Sequence, residues 1–205
     1  MGYIIVDLMQ GSQEWLQWRK GKITASIISG MMGLNPWCSQ LETWEKFQFE
    51  LKTPVNEAME RGSRLEPIAR DKLNLEGGYA FKPVCIQHDS ISWMAASLDG
   101  FYLDLNGKPH ACEIKCPTKG DTHAQAIFGL IPHHYYPQCQ WILMLLDADD
   151  MIYYSFDGEN GAVVLVKKDV EFIERMTVEA HAFKRSIDEF KAPAATLRKN
   201  RMVHL

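Results

Sequence analysis

Apolar residues recur along the chain with two different periods, and each period predicts a type of secondary structure. Apolar positions three or four apart, beginning at Ser, Thr or Asp caps or ending at Gly, predict helices over residues 12–21, 24–33, 39–51, 56–76, 121–129, 132–146 and 169–190. Short alternating or β-rich runs predict strands over residues 79–87, 100–105, 110–115, 151–156 and 162–166. This mixture predicts an α/β fold with a central mixed sheet flanked by helices.

The segment from Ser97 to Pro117 predicts a β-hairpin, because its two strand-like halves flank a strong turn signal at Asn106-Gly107. On the return strand Glu113 and Lys115 are two residues apart, so their side chains leave the same face of the sheet. Asp99 lies near that strand, so two carboxylates and an ammonium can converge, and we expect these three residues at the edge of the sheet. Oxygen ligands of this kind suit Mg²⁺ or Mn²⁺, which binds one or two protein carboxylates beside substrate phosphate oxygens.

A site for a terminal phosphate is predicted near the amino terminus. Ser12 can cap a helix that carries Trp15 and Arg19 and stops before Gly21, and Thr24 can cap the next helix. Ser26 is then in a first helical turn, where free N–H groups favour an anion, and the Arg19 guanidinium can bind a phosphate with two hydrogen bonds. The alternative is a pair of amphipathic helices in which the serines are only caps.

Glu66 stands immediately before Pro67 in a helical stretch. A proline inside a helix predicts a kink or a new start, and a carboxylate held at such an irregularity often faces a site. An exposed helical glutamate is the competing interpretation.

The carboxy-terminal part of the chain predicts a long helix capped by Asp169, followed from about residue 192 by a basic tail with Arg198-Lys199-Asn200-Arg201.

Four separated motifs together resemble the phage lambda exonuclease and YqaJ-type viral recombinase nucleases, which have the restriction-endonuclease-like PD-(D/E)xK core. The motifs are Gln-Gly-Ser-x-Glu-Trp from residue 10 with Arg19 and Ile-Thr-Ala-Ser at 23–26, Arg-Gly-x-x-Leu-Glu-Pro-x-Ala-Arg from residue 61, Ser97 to Lys115, and Tyr-x-x-Gln-x-Gln from residue 135. The chain departs from the family pattern at Ser-Leu-Asp-Gly (97–100), where many members have Pro-Asp.

The resemblance implies roles for particular residues. Catalytic residues would be Glu66, Asp99, Glu113, Lys115 and Gln138, with Gln140 as the fallback for Gln138. Metal would be held by Asp99, Glu113 and the main-chain carbonyl of Ile114. Residues contacting DNA or its 5′-phosphate would be Trp15, Arg19, Ser26, Ser97 and Lys119; Trp15 is either a stacking surface or a core residue.

The resemblance also implies an activity and an assembly. The expected protein is a single 205-residue nuclease domain of the alkaline-exonuclease type, phage- or prophage-encoded, using Mg²⁺ (Mn²⁺ as a substitute), with two ions per site. It would degrade double-stranded DNA from 5′-phosphorylated ends in the 5′ to 3′ direction, releasing mononucleotides and leaving 3′ single strands for recombination. Implied partners are two further copies in a homotrimeric ring and a single-strand annealing protein.

Composition restricts these expectations only in part. The net charge of −4 opposes a general attraction for DNA, although basic residues can be concentrated along a channel. Five cysteines without a Cys-x-x-Cys pair argue against a disulfide framework and a zinc ribbon. The sequence has neither a run of eighteen apolar residues nor a charged-then-apolar leader, so we do not expect membrane insertion or secretion. We expect a cytoplasmic protein.

Other functions remain open on the sequence. A restriction-type endonuclease shares the same core but cuts internally, and a catalytically silent module could bind DNA ends. The adjacent His133 and His134 are not expected to chelate a metal together, because neighbouring helical residues point about 100° apart.

Overall fold

The computed structural model describes residues 2–118 and 120–193. Seven strands in that part of the chain are β1 Tyr3–Val6, β2 Ile23–Thr24, β3 Lys82–His88, β4 Met94–Leu103, β5 Pro109–Lys115, β6 Asp150–Phe156 and β7 Gly161–Lys167. Seven α-helices are α1 Gln13–Arg19, α2 Ile28–Met31, α3 Gln40–Gln48, α4 Glu57–Gly77, α5 Asp121–Ile127, α6 Tyr136–Leu146 and α7 Val170–Asp188. None of the described helices is long and apolar enough to cross a membrane.

All seven strands join one mixed sheet, which confirms the predicted fold class. The order along the sheet is β1-β3-β4-β5-β6-β7, and the short β2 pairs with β4 off this path. Strand β5 is antiparallel to β4 but parallel to β6, because helices α5 and α6 form the crossover between β5 and β6. The hairpin that carries Glu113 and Lys115 therefore lies in the middle of the sheet. The expectation that these residues lie at the sheet's edge is wrong, because β3 and β6 pair with the outer sides of the hairpin.

The two faces of the sheet have separate apolar cores. One face packs against α6, which is buried over nearly its whole length and includes the fully buried Trp141. The opposite face packs against α4 through Ala69 and Leu73, which meet Phe81 and Ile114 from the sheet. Helices thus cover both sides of the central strands, and this layering places the ends of β4 and β5 between them.

A β-bulge interrupts the pairing of β3 with β4 where Asp99 stands. Val84 pairs with Leu98 and Lys82 with Phe101, so Pro83 alone lies opposite the two residues Asp99 and Gly100. Pro83 suits this position, because it has no N–H group to donate to a neighbouring strand. A bulge re-aims side chains, because the extra residue bends its strand and increases the local twist.

Two local predictions differ from the structure. The helix expected to start at Thr24 is replaced by strand β2, a 3₁₀ turn over Ala25–Ile27 and the single-turn helix α2, and the Thr24 side chain makes no cap. Its hydroxyl instead accepts a hydrogen bond from Arg19. In the hairpin, the turn is longer than the expected two residues, since the Asp104 carboxylate accepts the N–H groups of Asn106 and Lys108.

Other local predictions are confirmed. Ser12 caps α1 and Asp169 caps α7, each by accepting a hydrogen bond from the N–H three residues on. By contrast, α4 runs without interruption from Glu57 through Pro67 to Gly77, so of the two alternatives expected at Pro67, a kink or a new start, the new start does not occur.

The aromatic side of α3 packs within the same chain. Trp44 is 4% exposed and meets Phe190 edge to face, and Phe47 meets Phe183 of α7 in the same way. These contacts assign Trp44 and Phe47 to the intrachain packing of α3 against the α7 region.

Candidate active site

Three side chains from neighbouring elements meet at the carboxyl end of β5. The Lys115 ammonium donates to Oε1 of Glu113 at 2.5 Å, and the Gln138 amide from α6 donates to the same oxygen at 2.6 Å. Glu113 is 1% exposed. The two-residue spacing on β5 therefore brings Glu113 and Lys115 together as the sequence predicts, and α6 adds Gln138.

Asp99 joins this cluster because β4 and β5 stop pairing just before it. The last paired residues of the hairpin are Gly100 and Cys112, and beyond them the Asp99 carboxylate accepts the backbone N–H of Ile114 at 2.8 Å. On the same edge of β4, β2 pairs only with Met94 and Ala95. The opening between β2 and β5 is where the functional side chains collect.

Gly100 permits a close approach of β4 to the Cys112 and Phe81 side chains. A Cβ atom at that position would lie 2.4 Å from the Cys112 sulfur and 2.7 Å from the Cβ of Phe81. Only a residue without a side chain fits there, so Gly100 fixes the spacing of the strand that carries Asp99.

Glu66 approaches from α4 on the other side of Asp99. It forms a 2.6 Å ion pair with Arg70, one helical turn further along α4. Burial and the Asp99 charge raise the pKa of Glu66, while Arg70 opposes this increase. Glu66 is therefore electrostatically coupled to the Asp99–Glu113–Lys115 cluster, in a half-buried position and not on the exposed helix surface.

Burial and like charge dominate the electrostatics of the cluster. Burial raises the pKa of Glu113 to about 8, with the Asp99 charge adding to the effect and Lys115 opposing it. Burial likewise raises the pKa of Asp99, against the lowering influence of Lys115 and of the Ile114 N–H. Burial lowers the pKa of Lys115, but the combined charges of Glu113 and Asp99 outweigh it and raise that pKa overall. Three carboxyls thus face two cations, Lys115 and Arg70, in a poorly hydrated site.

The donor set fits a hard divalent cation. Oε2 of Glu113 is buried and receives no hydrogen bond from any described residue. A buried carboxylate oxygen without a donor is costly unless a cation or water satisfies it. Among residues 2–118 and 120–193 no three His, Cys, Asp or Glu side chains are arranged as a metal cluster. Mg²⁺ does not require one, since it binds through one or two carboxylates and keeps several waters.

A second cluster, formed by Arg19, Thr24, Ser26, Trp15 and Ser97, lies next to the first. The Arg19 guanidinium donates to the hydroxyls of Thr24 at 3.1 Å and Ser26 at 2.9 Å. It also lies 4.4 Å from the centre of the Trp15 ring, whose indole N–H donates to Ser97 at 2.8 Å. Burial lowers the pKa of Arg19, with the nearby Cys85 acting in the opposite direction.

The two clusters share strand β4. Ser97 and Asp99 are separated by one residue, so their Cα atoms lie within about 7 Å. The Arg19 guanidinium and its two hydroxyl partners can bind one phosphate group of a substrate. The next phosphate group would then lie near the carboxylates and Lys115.

A family model describing a YqaJ-like viral recombinase domain matches residues 14–149. The chain belongs to this family. The match includes every residue of both clusters, so the resemblance predicted from the four motifs is confirmed at the level of the family.

Solved structures share the fold of this YqaJ-like domain. LHK-Exo in complex with dAMP superposes with a TM-score of 0.76 at 24% identity, covering 88% of this chain and 94% of that one. A second structure of LHK-Exo, described as an alkaline exonuclease from Laribacter hongkongensis, gives 0.75 at 24% identity with the same coverage. A phage-related exonuclease from Haemophilus somnus 129PT gives 0.59 at 14% identity, covering 82% of this chain and 94% of that one. No curated protein sequence matches the chain.

The structure separates the two glutamines of the YqaJ-like Tyr-x-x-Gln-x-Gln motif. Gln138 contacts Glu113, whereas Gln140 is fully buried and joins the carbonyl of Lys167 to the N–H of Asp169. Gln138 is thus the glutamine at the site, and Gln140 fixes the start of α7. Lys119, expected at the DNA, lies outside the described residues.

Sequence reasoning missed three residues of the site. Thr24, predicted as a helix cap, accepts a hydrogen bond from Arg19, and Arg70, for which the sequence indicated no role, pairs with Glu66. Tyr135 places its ring 5.0 Å from the Lys115 ammonium. The spacing of Glu66 and Arg70 was a usable signal, since residues four apart on a helix are neighbours.

Proposed function

We propose that this protein is a Mg²⁺-dependent nuclease that degrades double-stranded DNA in the 5′ to 3′ direction from 5′-phosphorylated ends. One observation carries the proposal: two clusters lie side by side on β4. The first contains Asp99, Glu113, Lys115 and Gln138, and the second contains Arg19 and Ser97. Only one residue of β4 separates Ser97 from Asp99. Membership in the YqaJ-like family and a fold shared with proteins described as exonucleases support the same activity.

Asp99, Glu113 and the Ile114 carbonyl would hold the ion or ions, which supply polarisation of the phosphodiester and a more acidic bound water. Lys115 is fixed by Glu113 and can orient a water near the phosphorus. Gln138 holds Glu113 in place from α6, and Glu66 with Arg70 completes the charge balance on the α4 side.

Hydrolysis forms a bond from a water oxygen to phosphorus and breaks the bond from phosphorus to the 3′ oxygen, which leaves as a hydroxyl after accepting a proton. The released mononucleotide keeps its own 5′-phosphate, and the remaining strand begins with a new one. Arg19, Ser26 and Ser97 can therefore bind each successive end in the same way, which favours an exonuclease over an internally cutting enzyme.

The decisive experiment is product analysis on a 5′-phosphorylated linear duplex with Mg²⁺ and with EDTA, beside closed circular DNA. We expect mononucleotides from the linear duplex with Mg²⁺ only. Cleavage of the circle would support the restriction-type endonuclease instead. Binding of ends without cleavage would support a silent end-binding module.

The Asp99→Ala variant tests the residue assignment in the same assay. We expect no cleavage with binding of the duplex retained, because the change removes a proposed metal ligand from a half-buried position. Glu159→Ala, in the exposed β6–β7 loop, is the control and should cleave at the parent rate. An active Asp99→Ala variant would remove Asp99 from the metal site.

The assembly proposal follows from charge. With a net charge of −4 the protein has little general attraction for DNA at physiological salt. A homotrimeric ring around the duplex would retain the substrate, and cyclic closure needs the same heterologous contact three times. A single-strand annealing protein would then receive the 3′ strand. Light scattering measures the mass, and a monomer that degrades long duplexes without release would contradict the ring.

A further inference from the structure

Trp37 is an aromatic side chain without a structural reason to be exposed. It is 66% exposed and is the most exposed of the six tryptophans, all of which lie in the described part of the chain. The backbone N–H of Trp37 donates to the Asn35 side chain at 2.8 Å. Pro36 has a fixed φ angle and also restricts the backbone of Asn35. The loop between α2 and α3 therefore presents the indole in a defined position.

A continuous series of ring contacts joins Trp37 to the candidate active site. The Trp37 ring meets the His134 ring edge to face with centroids 4.7 Å apart, and His134 lies 4.1 Å from the Tyr135 ring. Tyr135 in turn lies 5.0 Å from the Lys115 ammonium. Consistent with this proximity, burial and then the Lys115 charge lower the pKa of His134. Trp37 is thus three short steps from the proposed site of hydrolysis.

The contrast with Trp15 is informative. Trp15, for which the sequence left a stacking role and a core role open, donates a hydrogen bond to Ser97 and is covered by Arg19, so it supports the phosphate cluster. Trp37 has no such cover, and its edge-to-face contact with His134 leaves a broad apolar surface in solvent. Next to it, Nε2 of His134 is buried and has no hydrogen-bond partner among the described residues.

We propose that Trp37 is a stacking surface for an unpaired base of the nucleic acid strand that enters the active site, a contact that rests on the proposed nuclease function. An exposed indole stacks on any base, and the bases of an intact duplex are already stacked on one another. The occupant is therefore a base freed from the duplex end, and the contact is independent of sequence. It is separate from the phosphate contacts of Arg19 and Ser26.

The test is binding in EDTA, where no cleavage occurs, measured by fluorescence anisotropy. The probes are a 5′-phosphorylated oligothymidylate of about twelve nucleotides and an abasic oligonucleotide of the same length and charge. We expect Trp37→Ala to weaken binding of the oligothymidylate about 5- to 100-fold and to leave the abasic probe nearly unchanged. Trp37→Phe should restore most of the loss. Leu105→Ala, at the fully exposed hairpin turn, is the matched control and should change neither affinity.

Three outcomes would overturn the inference. Equal losses for the two probes would mean that Trp37 acts on the backbone or on the fold, and unchanged binding would mean that it is not a contact. A lower mass of Trp37→Ala in light scattering would make Trp37 a subunit contact. If the parent protein degrades duplex DNA with Mg²⁺ and Trp37→Ala binds the probes normally, only this contact is refuted. A parent that neither binds nor cleaves refutes the proposed function as well.

Discussion

Replacing Glu113 by glutamine should stabilise the metal-free protein at neutral and alkaline pH while abolishing cleavage. The side chain is 1% exposed and lies beside Asp99, so its charged form is disfavoured in the folded state. Glutamine has nearly the same shape and cannot ionise. The variant thus removes the buried charge without opening a cavity.

The size of the effect follows from the pKa of Glu113, which burial raises from its ordinary value of 4.5 to about 8. Below pH 4.5 the carboxyl is protonated in both the folded and the unfolded protein, and the stabilising contribution is fully present. Between these two pKa values the unfolded chain releases the proton and the folded protein keeps it. The free energy of unfolding therefore falls with rising pH, by about 1.4 kcal/mol per pH unit for this one group.

The measurement is urea unfolding of the parent and of Glu113→Gln in EDTA at about pH 6 and about pH 7.5. Other groups titrate in both proteins, so the difference between the two pH profiles reports the titration of Glu113 together with its coupling to Asp99 and Lys115. We expect the advantage of Glu113→Gln to grow by about 2 kcal/mol between these pH values. Added Mg²⁺ should narrow the difference, because the proposed ion would bind the ionised parent and favour its folded state.

Parallel pH profiles for the two proteins would refute this reasoning. They would mean that Glu113 is already ionised in the folded protein at pH 6 and that Lys115 compensates its charge fully. A Glu113→Gln variant that still cleaved DNA would separately exclude Glu113 from the metal site. Glu159→Gln, at an exposed loop position, is the control and should leave stability and cleavage unchanged.

Further predictions concern the neighbouring residues. Arg19→Ala should lower the preference for 5′-phosphorylated over 5′-hydroxyl ends about ten- to a hundred-fold, because a charge-assisted hydrogen bond is lost, and an unchanged rate ratio would contradict the phosphate assignment. Gln138→Ala should reduce cleavage with little change in melting temperature. Gln140→Ala should do the reverse, since it leaves the Asp169 N–H and the Lys167 carbonyl without their partner. Gly100→Ala should destabilise the protein by about 1–3 kcal/mol, because its Cβ would overlap the Cys112 sulfur, and unfolding in urea measures the loss.

The sequence alone determined the features that depend on local spacing. Caps such as Ser12 and Asp169 act on N–H groups three residues away, and the two-residue period of a strand places Glu113 and Lys115 on one face. Pro83 restricts its part of the strand to an edge or a bulge, because it lacks an N–H group. These signals lie within a few residues of their effect, so they can be read before the chain is folded.

Only the tertiary structure decided which distant residues meet. Gln138 and Gln140 lie on the same short helix, and the packing of α6 on the sheet directs the first to Glu113 and the second to the start of α7. Trp15 and Trp37 are both aromatic residues near the amino terminus, yet one supports Arg19 and the other is exposed beside His134. Such contacts join residues tens of positions apart, and their geometry depends on how whole elements pack, which no local period encodes.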